Sequence, residues 1–276
     1  MDYDKWINSK YFPADYDADS GDPEIFTKEP LDVSLLLTHP FNRYLNGQIG
    51  AQFSHVSLYN FGEAPTLQQD LQDKDTETAY LSNIINLRWD TLNSAKNPSR
   101  GFYLKHELET NWLHDQLRGD AENERRDPLS FTWGRKFSFL RNTTTARYYT
   151  VLWYPKTVLA LRLQGKYQSG GDIPFQFKLP LGGGTSLRGT SSGRYLDDTV
   201  VVANAEIRFP IYKGLGGILG YDAGAAAHSP EQLALKDLVS NPVVGLRYYM
   251  SDFIVRLDVG LGEEGMGLYF NFGHAF

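Results

Sequence analysis

The closing stretch, Gly267-Leu268-Tyr269-Phe270-Asn271-Phe272-Gly273-His274-Ala275-Phe276, decides how the rest of the chain is read. In an extended chain, Leu268, Phe270, Phe272 and Phe276 share one face, and Tyr269, Asn271, Gly273 and Ala275 share the other. The same two-residue period lies just upstream. In VRLDVGL, Val255, Leu257, Val259 and Leu261 stand opposite Arg256, Asp258 and Gly260. In VVVANAEIRF, Ala203, Ala205, Ile207 and Phe209 stand opposite Asn204, Glu206 and Arg208. In TVLALRLQGKYQ, Val158, Ala160 and Arg162 oppose Leu159, Leu161 and Leu163. Strands of this kind fit a soluble sandwich, with the polar face in water. They equally fit a membrane barrel, with the apolar face in lipid and the polar face in the lumen.

Length of strand and asymmetry of loops favour the barrel. Alternation marks strands at about 31–39, 45–60, 78–92, 101–115, 134–153, 157–169, 199–210, 216–227, 241–250, 253–262 and 265–276. Most are longer than the usual ~5–6 residues and suit tilted strands crossing a bilayer. Compact connections (39–47, 93–101, 154–156, 210–214, 251–252) alternate with longer polar ones near 61–77, 115–133, 170–198 and 228–240. Short turns on one rim and long loops on the other are typical of outer-membrane barrels. The best helical candidate, SPEQLALKDLVS at 229–240, is short and reads as a helical turn within a loop. The expectation is an all-β fold: an antiparallel transmembrane β-barrel of about 12 strands over 31–276, preceded by an N-terminal segment, 1–30, of loop or partial strand.

Composition limits the chemistry. The 276 residues contain no cysteine, which excludes disulfides, thiolate metal sites and cysteine nucleophiles. The net charge of −6 is spread along the chain, without the basic block that nucleic acid calls for. No apolar run approaches the ~18–20 residues of a membrane helix. The opening MDYDKWINSKYFPADYDADSGDPE is acidic and lacks a signal peptide's basic head and apolar middle, so either the protein is not exported or the chain is mature or trimmed.

The glycine- and hydroxyl-rich stretch GGGTSLRGTSSGRY (182–195) raises a chemical question, because Gly189-Thr190-Ser191-Ser192-Gly193 matches G-x-S-x-G. A nucleophile elbow requires a strand before the serine and a helix after it, and neither flank is present, so catalysis by Ser191 or Ser192 is not expected. A phosphate-binding loop would require a lysine after the second glycine, and there is none. Of the six histidines, His39, His55, His106, His114, His228 and His274, none lies in an H-E-x-x-H motif or a tight cluster with acids. His106 and His114 share a strand face but stand too far apart for one metal. No metal, cofactor or catalytic residue is expected. An outer-membrane barrel enzyme such as a phospholipase, of similar length and with a serine–histidine pair at the barrel wall, is one rival reading, although that family's motif is not matched to any of the serines and histidines here. A passive pore remains a rival reading, with Arg88, Asp90, Arg256 and Asp258 as lumen charges.

The motifs LGGGTSLRGTSSGRYLDDTVVVANAEIRFPI, GYDAGAA, VRLDVGLG and GLYFNFGHAF, in that order, resemble the C-terminal barrel of the BamA/TamA superfamily of outer-membrane assembly factors. LRWDTLNSAKNPSRGFYLKHELE (87–109) resembles that family's aspartate–proline–glycine turn, and the resemblance covers roughly residues 78–276. It implies a loop folded into the lumen, with Arg188-Gly189 at its tip and the arginine meeting inward carboxylates at Glu206 and Asp222. Here Thr190 follows, where the family has an aromatic, and Tyr195 is the candidate substitute. A guanidinium in a confined lumen needs partners, and its planar fork suits carboxylates. The resemblance also implies a C-terminal barrel signal in Gly267, Phe270, Phe272 and Phe276. It implies insertion or translocation of proteins at the outer membrane of a Gram-negative bacterium. The partners would be outer-membrane lipids, client outer-membrane or secreted proteins and barrel assembly machinery. The family barrel has about sixteen strands and carries periplasmic repeats before it. Either those parts lie outside this chain, or the chain is a short barrel-only variant.

Overall fold

A computed structural model describes residues 2–3, 6–12, 23–63, 67, 76–113, 139–152, 156–170, 173, 175–251 and 253–276. His114, the loop near 115–133, the expected strand residues 134–138 and residues 1, 4–5 and 13–22 of the N-terminal segment lie outside the described residues.

The chain folds into antiparallel strands: β1 (Asp2–Tyr3), β2 (Trp6–Tyr11), β3 (Glu24–Pro40), β4 (Leu45–Glu63), β5 (Glu77–Asp90), β6 (Gly101–Leu113), β7 (Phe139–Val151) and β8 (Val158–Gly170). There follow β9 (Leu179–Leu181), β10 (Tyr195–Asp197), β11 (Thr199–Tyr212), β12 (Leu215–Ala227), β13 (Val239–Tyr249), β14 (Ile254–Gly262) and β15 (Gly265–Phe272). Eleven long strands pair in the order β3-β4-β5-β6-β7-β8-β11-β12-β13-β14-β15, with β1 and β2 both on β3. β9 and β10 form a separate two-stranded sheet inside the connection between β8 and β11. Among the described residues, the ends of the sheet, β3 with its short partners and β15, are not paired to each other.

The long strands therefore match the alternation to within a few residues, except at the start of β3 and the end of β15, and the 229–240 stretch is a loop as expected. β3 reaches back to Glu24, because β1 and β2 give its first half a partner. The 229–240 stretch forms two short 3-10 turns, Pro230–Gln232 and Leu235–Asp237. The last strand stops at Phe272, where Gly273 takes φ +80° and turns the chain out of the sheet.

Burial settles which face is wet. Glu206, Asp222, Asp258, Arg247 and Ser54 are fully buried, whereas Leu35, Leu37, Ile49, Leu163, Leu219 and Phe270 are more than half exposed. This inverts a soluble protein, in which charged residues are almost never the buried ones, and it is the pattern of a lipid-facing wall around a polar interior. Exposed Trp89, Tyr148, Tyr212, Tyr248, Phe253 and Phe272 lie near the short-turn rim, as an interfacial aromatic girdle does. A charge on the outer wall is then costly. Leu163→Arg is expected to lower stability by about 2–4 kcal/mol, as at a bilayer midplane. Urea titration in liposomes checks this; a loss no larger than that of Leu163→Ala would mean that this face is not in lipid.

Candidate functional site: a loop held inside the barrel

The connection between β8 and β11 crosses the interior. Its first part, at Phe175–Phe177, packs Phe177 against Tyr80 and Phe139, with ring centroids 4.7 and 6.1 Å away. Leu179, Leu181 and Leu187 then bury against Val200 and Val202 on the inner face of β11. These contacts anchor the loop by apolar burial on the approach to its tip.

At the tip, Arg188 is 1% exposed and meets carboxylates from three strands. Its Nε donates to Asp222 Oδ2 at 2.7 Å and its Nη2 to Asp222 Oδ1 at 2.9 Å, a bidentate fork. Its Nη1 donates to Glu206 Oε1 at 2.7 Å and to Asp258 Oδ2 at 2.9 Å. Asn204 Nδ2 donates to Asp222 Oδ1 at 2.6 Å, completing that carboxylate. Around this centre, Arg208 Nε donates to Glu206 Oε2 at 2.8 Å, Arg247 Nη1 donates to Asp258, and Arg256 Nε stands 3.7 Å from Asp258. The cluster holds four guanidinium groups against three carboxylates.

Strand register explains the convergence. Tyr103, Arg147, Arg162, Asn204, Asp222 and Asn241 are successive partners across β6, β7, β8, β11, β12 and β13, so one inward row crosses six strands. Glycines make room for the loop beside it. Gly189 has φ +93°, and a Cβ there would lie 2.9 Å from backbone atoms of Gly260, Leu261 and Gly262. A Cβ on Gly260 would lie 2.4 Å from the Arg188 carbonyl carbon. Two backbones thus touch where only hydrogen fits.

Of the residues the sequence singled out, Arg188, Glu206 and Asp222 come together, and Gly189 adjoins them. Asp258, read as a candidate pore charge, is instead the third carboxylate around Arg188, and Arg256 stands beside it. Arg247 was not singled out, although its alternation within β13 places it on the inner face. Arg88 is exposed and stands apart. Thr190 accepts from Asn241 Nδ2 at 2.9 Å, and the same amide donates to the Arg188 carbonyl at 2.9 Å. The aromatic at the tip is Tyr269 of β15, whose hydroxyl accepts from Gly189 N at 3.0 Å. Tyr195 lies in β10 and packs on the Leu179 cluster.

Ser191 and Ser192 sit in turns that lead into β10, without the helix an elbow requires. The fold brings together one group that spacing hid. Asp197, Asp198 and His228 lie with their ligand atoms within 4.8 Å. Lys178 Nζ already sits 2.6 Å from Asp198 Oδ2, which places a cation on that carboxylate.

On β15, Phe270 and Phe272 face outward at 65% and 62% exposure, as does Leu268. Phe276 departs from that row and corrects the extrapolated alternation. After the turn at Gly273 it is 6% exposed and packs with Tyr149, Val158 and Ala160. Arg162 and Arg208 stand 5.2 Å from its ring, and Arg208 Nη2 donates to its backbone oxygen at 3.1 Å.

A polar inner face, a lipid-facing outer face and a run of long antiparallel strands define a transmembrane β-barrel wall. Residues 4–276 match the Omp85 superfamily domain, and the chain belongs to that superfamily. Among solved structures it is similar to BamA from Haemophilus ducreyi lacking POTRA domains 1–3, at 14% identity and a TM-score of 0.66, over 99% of this chain and 57% of that one. It is also similar to CdiB from Acinetobacter baumannii, at 16% identity and a TM-score of 0.56, over 92% of this chain and 44% of that one. The chain thus spans about half the length of each. No individually curated protein matches it.

Proposed function

We propose that this barrel assists insertion or translocation of proteins at the outer membrane of a Gram-negative bacterium, with its working surface at the seam between β3 and β15. The observation that carries the reading is the pair of unjoined sheet ends in a chain of the Omp85 superfamily. Unpaired backbone groups are costly in lipid, and an exposed strand edge pairs readily with another strand. An incoming strand could be templated by backbone hydrogen bonds alone, without catalytic chemistry. The partners are client proteins and outer-membrane lipids. In this reading Arg188, Gly189, Glu206 and Asp222 lock the loop and hold β11, β12 and β14 rigid beside the seam. Gly267, Phe270, Phe272 and Phe276 form the C-terminal signal read before folding. The N-terminal segment belongs with the barrel through the pairing of β1 and β2 on β3.

The test uses the absence of native cysteine. A disulfide between cysteines placed on β3 (33–38) and β15 (266–270) is expected to stop assembly of a client barrel in proteoliposomes, and reduction to restore it. The control is Thr145→Cys with Gln164→Cys, register partners on β7 and β8, which should leave assembly unchanged. Full activity with the seam crosslinked would overturn the reading.

A further inference from the structure

Beside the loop, the described residues leave open space. Two adjoining cavities of about 590 Å³ each share Lys28, Gln164, Lys166, Gln176, Lys178 and Pro180 in their walls. That volume suits a small ligand. Among the described residues, the first is lined by six basic side chains and three acidic ones, and the second by four basic and no acidic ones. The whole chain carries −6, so the described lining of this chamber has the opposite sign to the protein.

Ion pairs among the described residues engage half of the six cations of the first cavity, one of them Lys178, which bridges Asp198 at 2.6 Å. Lys105 bridges Glu107 at 2.7 Å and Arg141 reaches Glu109 at 3.4 Å, which uses two of the three acids. Lys28, on β3, donates to the Gln176 backbone oxygen at 3.0 Å. Lys166, on β8, makes no ion pair among the described residues, and its strand neighbours Gly165 and Tyr167 bring no acid. Lys28 and Lys166 rise from distant strands to the same two cavities, where Arg141 repels both while Asp32 attracts Lys28 and Glu107 and Glu109 attract Lys166. Like charges gathered in a space with low-dielectric walls repel, and an anion between them removes the penalty. Arg141 also donates to the Phe177 oxygen at 3.1 Å, so the loop and the wall both frame the chamber.

We propose that this lumen chamber is a binding site for a small, soluble, multivalent oxyanion, held chiefly by Lys28, Arg141 and Lys166. Bound there, the anion bridges β3, β7 and β8 and sits against the Gln176–Lys178 segment of the loop. The site is separate from the Arg188 cluster and does not depend on the seam reading.

The probe is inorganic pyrophosphate, titrated calorimetrically at constant ionic strength into the full chain refolded in detergent, with folding verified by heat-dependent gel mobility. Saturable one-to-one binding is expected. Lys166→Gln should weaken it at least tenfold, and Lys28→Gln with Lys166→Gln should abolish it. Lys166→Arg should retain it, and Lys236→Gln, at an exposed loop position, should leave it unchanged. Should the double variant fail to fold, the comparison of Lys166→Gln with Lys166→Arg decides. No saturable binding by folded wild-type protein, equal affinity in Lys166→Gln, or an equal loss in Lys236→Gln would each overturn the proposal.

Discussion

Arg188→Glu is expected to be the most damaging single substitution in the chain. It removes a bidentate bond to Asp222 and the bonds to Glu206 and Asp258, and it places a fourth carboxylate among three that are fully buried. Removing one partner of a buried ion pair costs about 3–5 kcal/mol, and reversing its sign adds repulsion to that loss. The heat-dependent mobility shift should move to a markedly lower temperature, or vanish. Adding Asp222→Arg should restore part of the loss, because the new guanidinium rises from the same wall and faces both Glu206 and the carboxylate introduced at position 188. The restoration stays partial, because Asn204 loses its acceptor and Asp258 loses one of its arginines. No recovery at all would sever the proposed link between residues 188 and 222.

Gly260→Ala tests the same contact from the other side and separates the loop from the barrel. Its Cβ would enter within 2.4 Å of the Arg188 carbonyl carbon and the Gly189 nitrogen. Both are backbone atoms fixed by neighbouring bonds, so the overlap cannot be relieved by a rotamer change. Overpacking of this kind costs about 1–3 kcal/mol. The expected result is a barrel that still shows the gel shift but releases its loop, so that trypsin cuts after Arg188 or Arg194 much faster than in the parent. Unchanged protection in a folded variant would mean that the tip does not rest on β14.

The difference between these two substitutions shows what could be read from residues alone. Alternation placed Glu206 on the polar side of β11 without knowledge of its neighbours, and the family resemblance supplied Arg188 and Asp222. The polar faces of β11 and β14 were legible for the same reason: a two-residue period survives any choice of register. The identity of the third carboxylate was not. Asp258 stands on β14, two strands beyond Asp222, and only the pairings β12–β13 and β13–β14 bring it level with Arg188. Arg247 and Tyr269 were hidden by the same lack of register. Phe276 escaped for a local reason. The alternation ran on through Gly273, yet a glycine free to take positive φ can end a strand, and here it does. The assignment of inside and outside also needed three dimensions, since period two is symmetric between lipid and core.

The order of the partners along the chain has a consequence for biogenesis. Arg188 precedes every acid it binds: Glu206 follows by 18 residues, Asp222 by 34 and Asp258 by 70. During synthesis the arginine therefore emerges alone, and its full set of counter-charges arrives only with the penultimate strand. A chain halted before β14 would present a buried guanidinium short of one carboxylate, and a chain halted before β12 would lack two. The cluster can therefore close only in a polypeptide whose C-terminal wall is present.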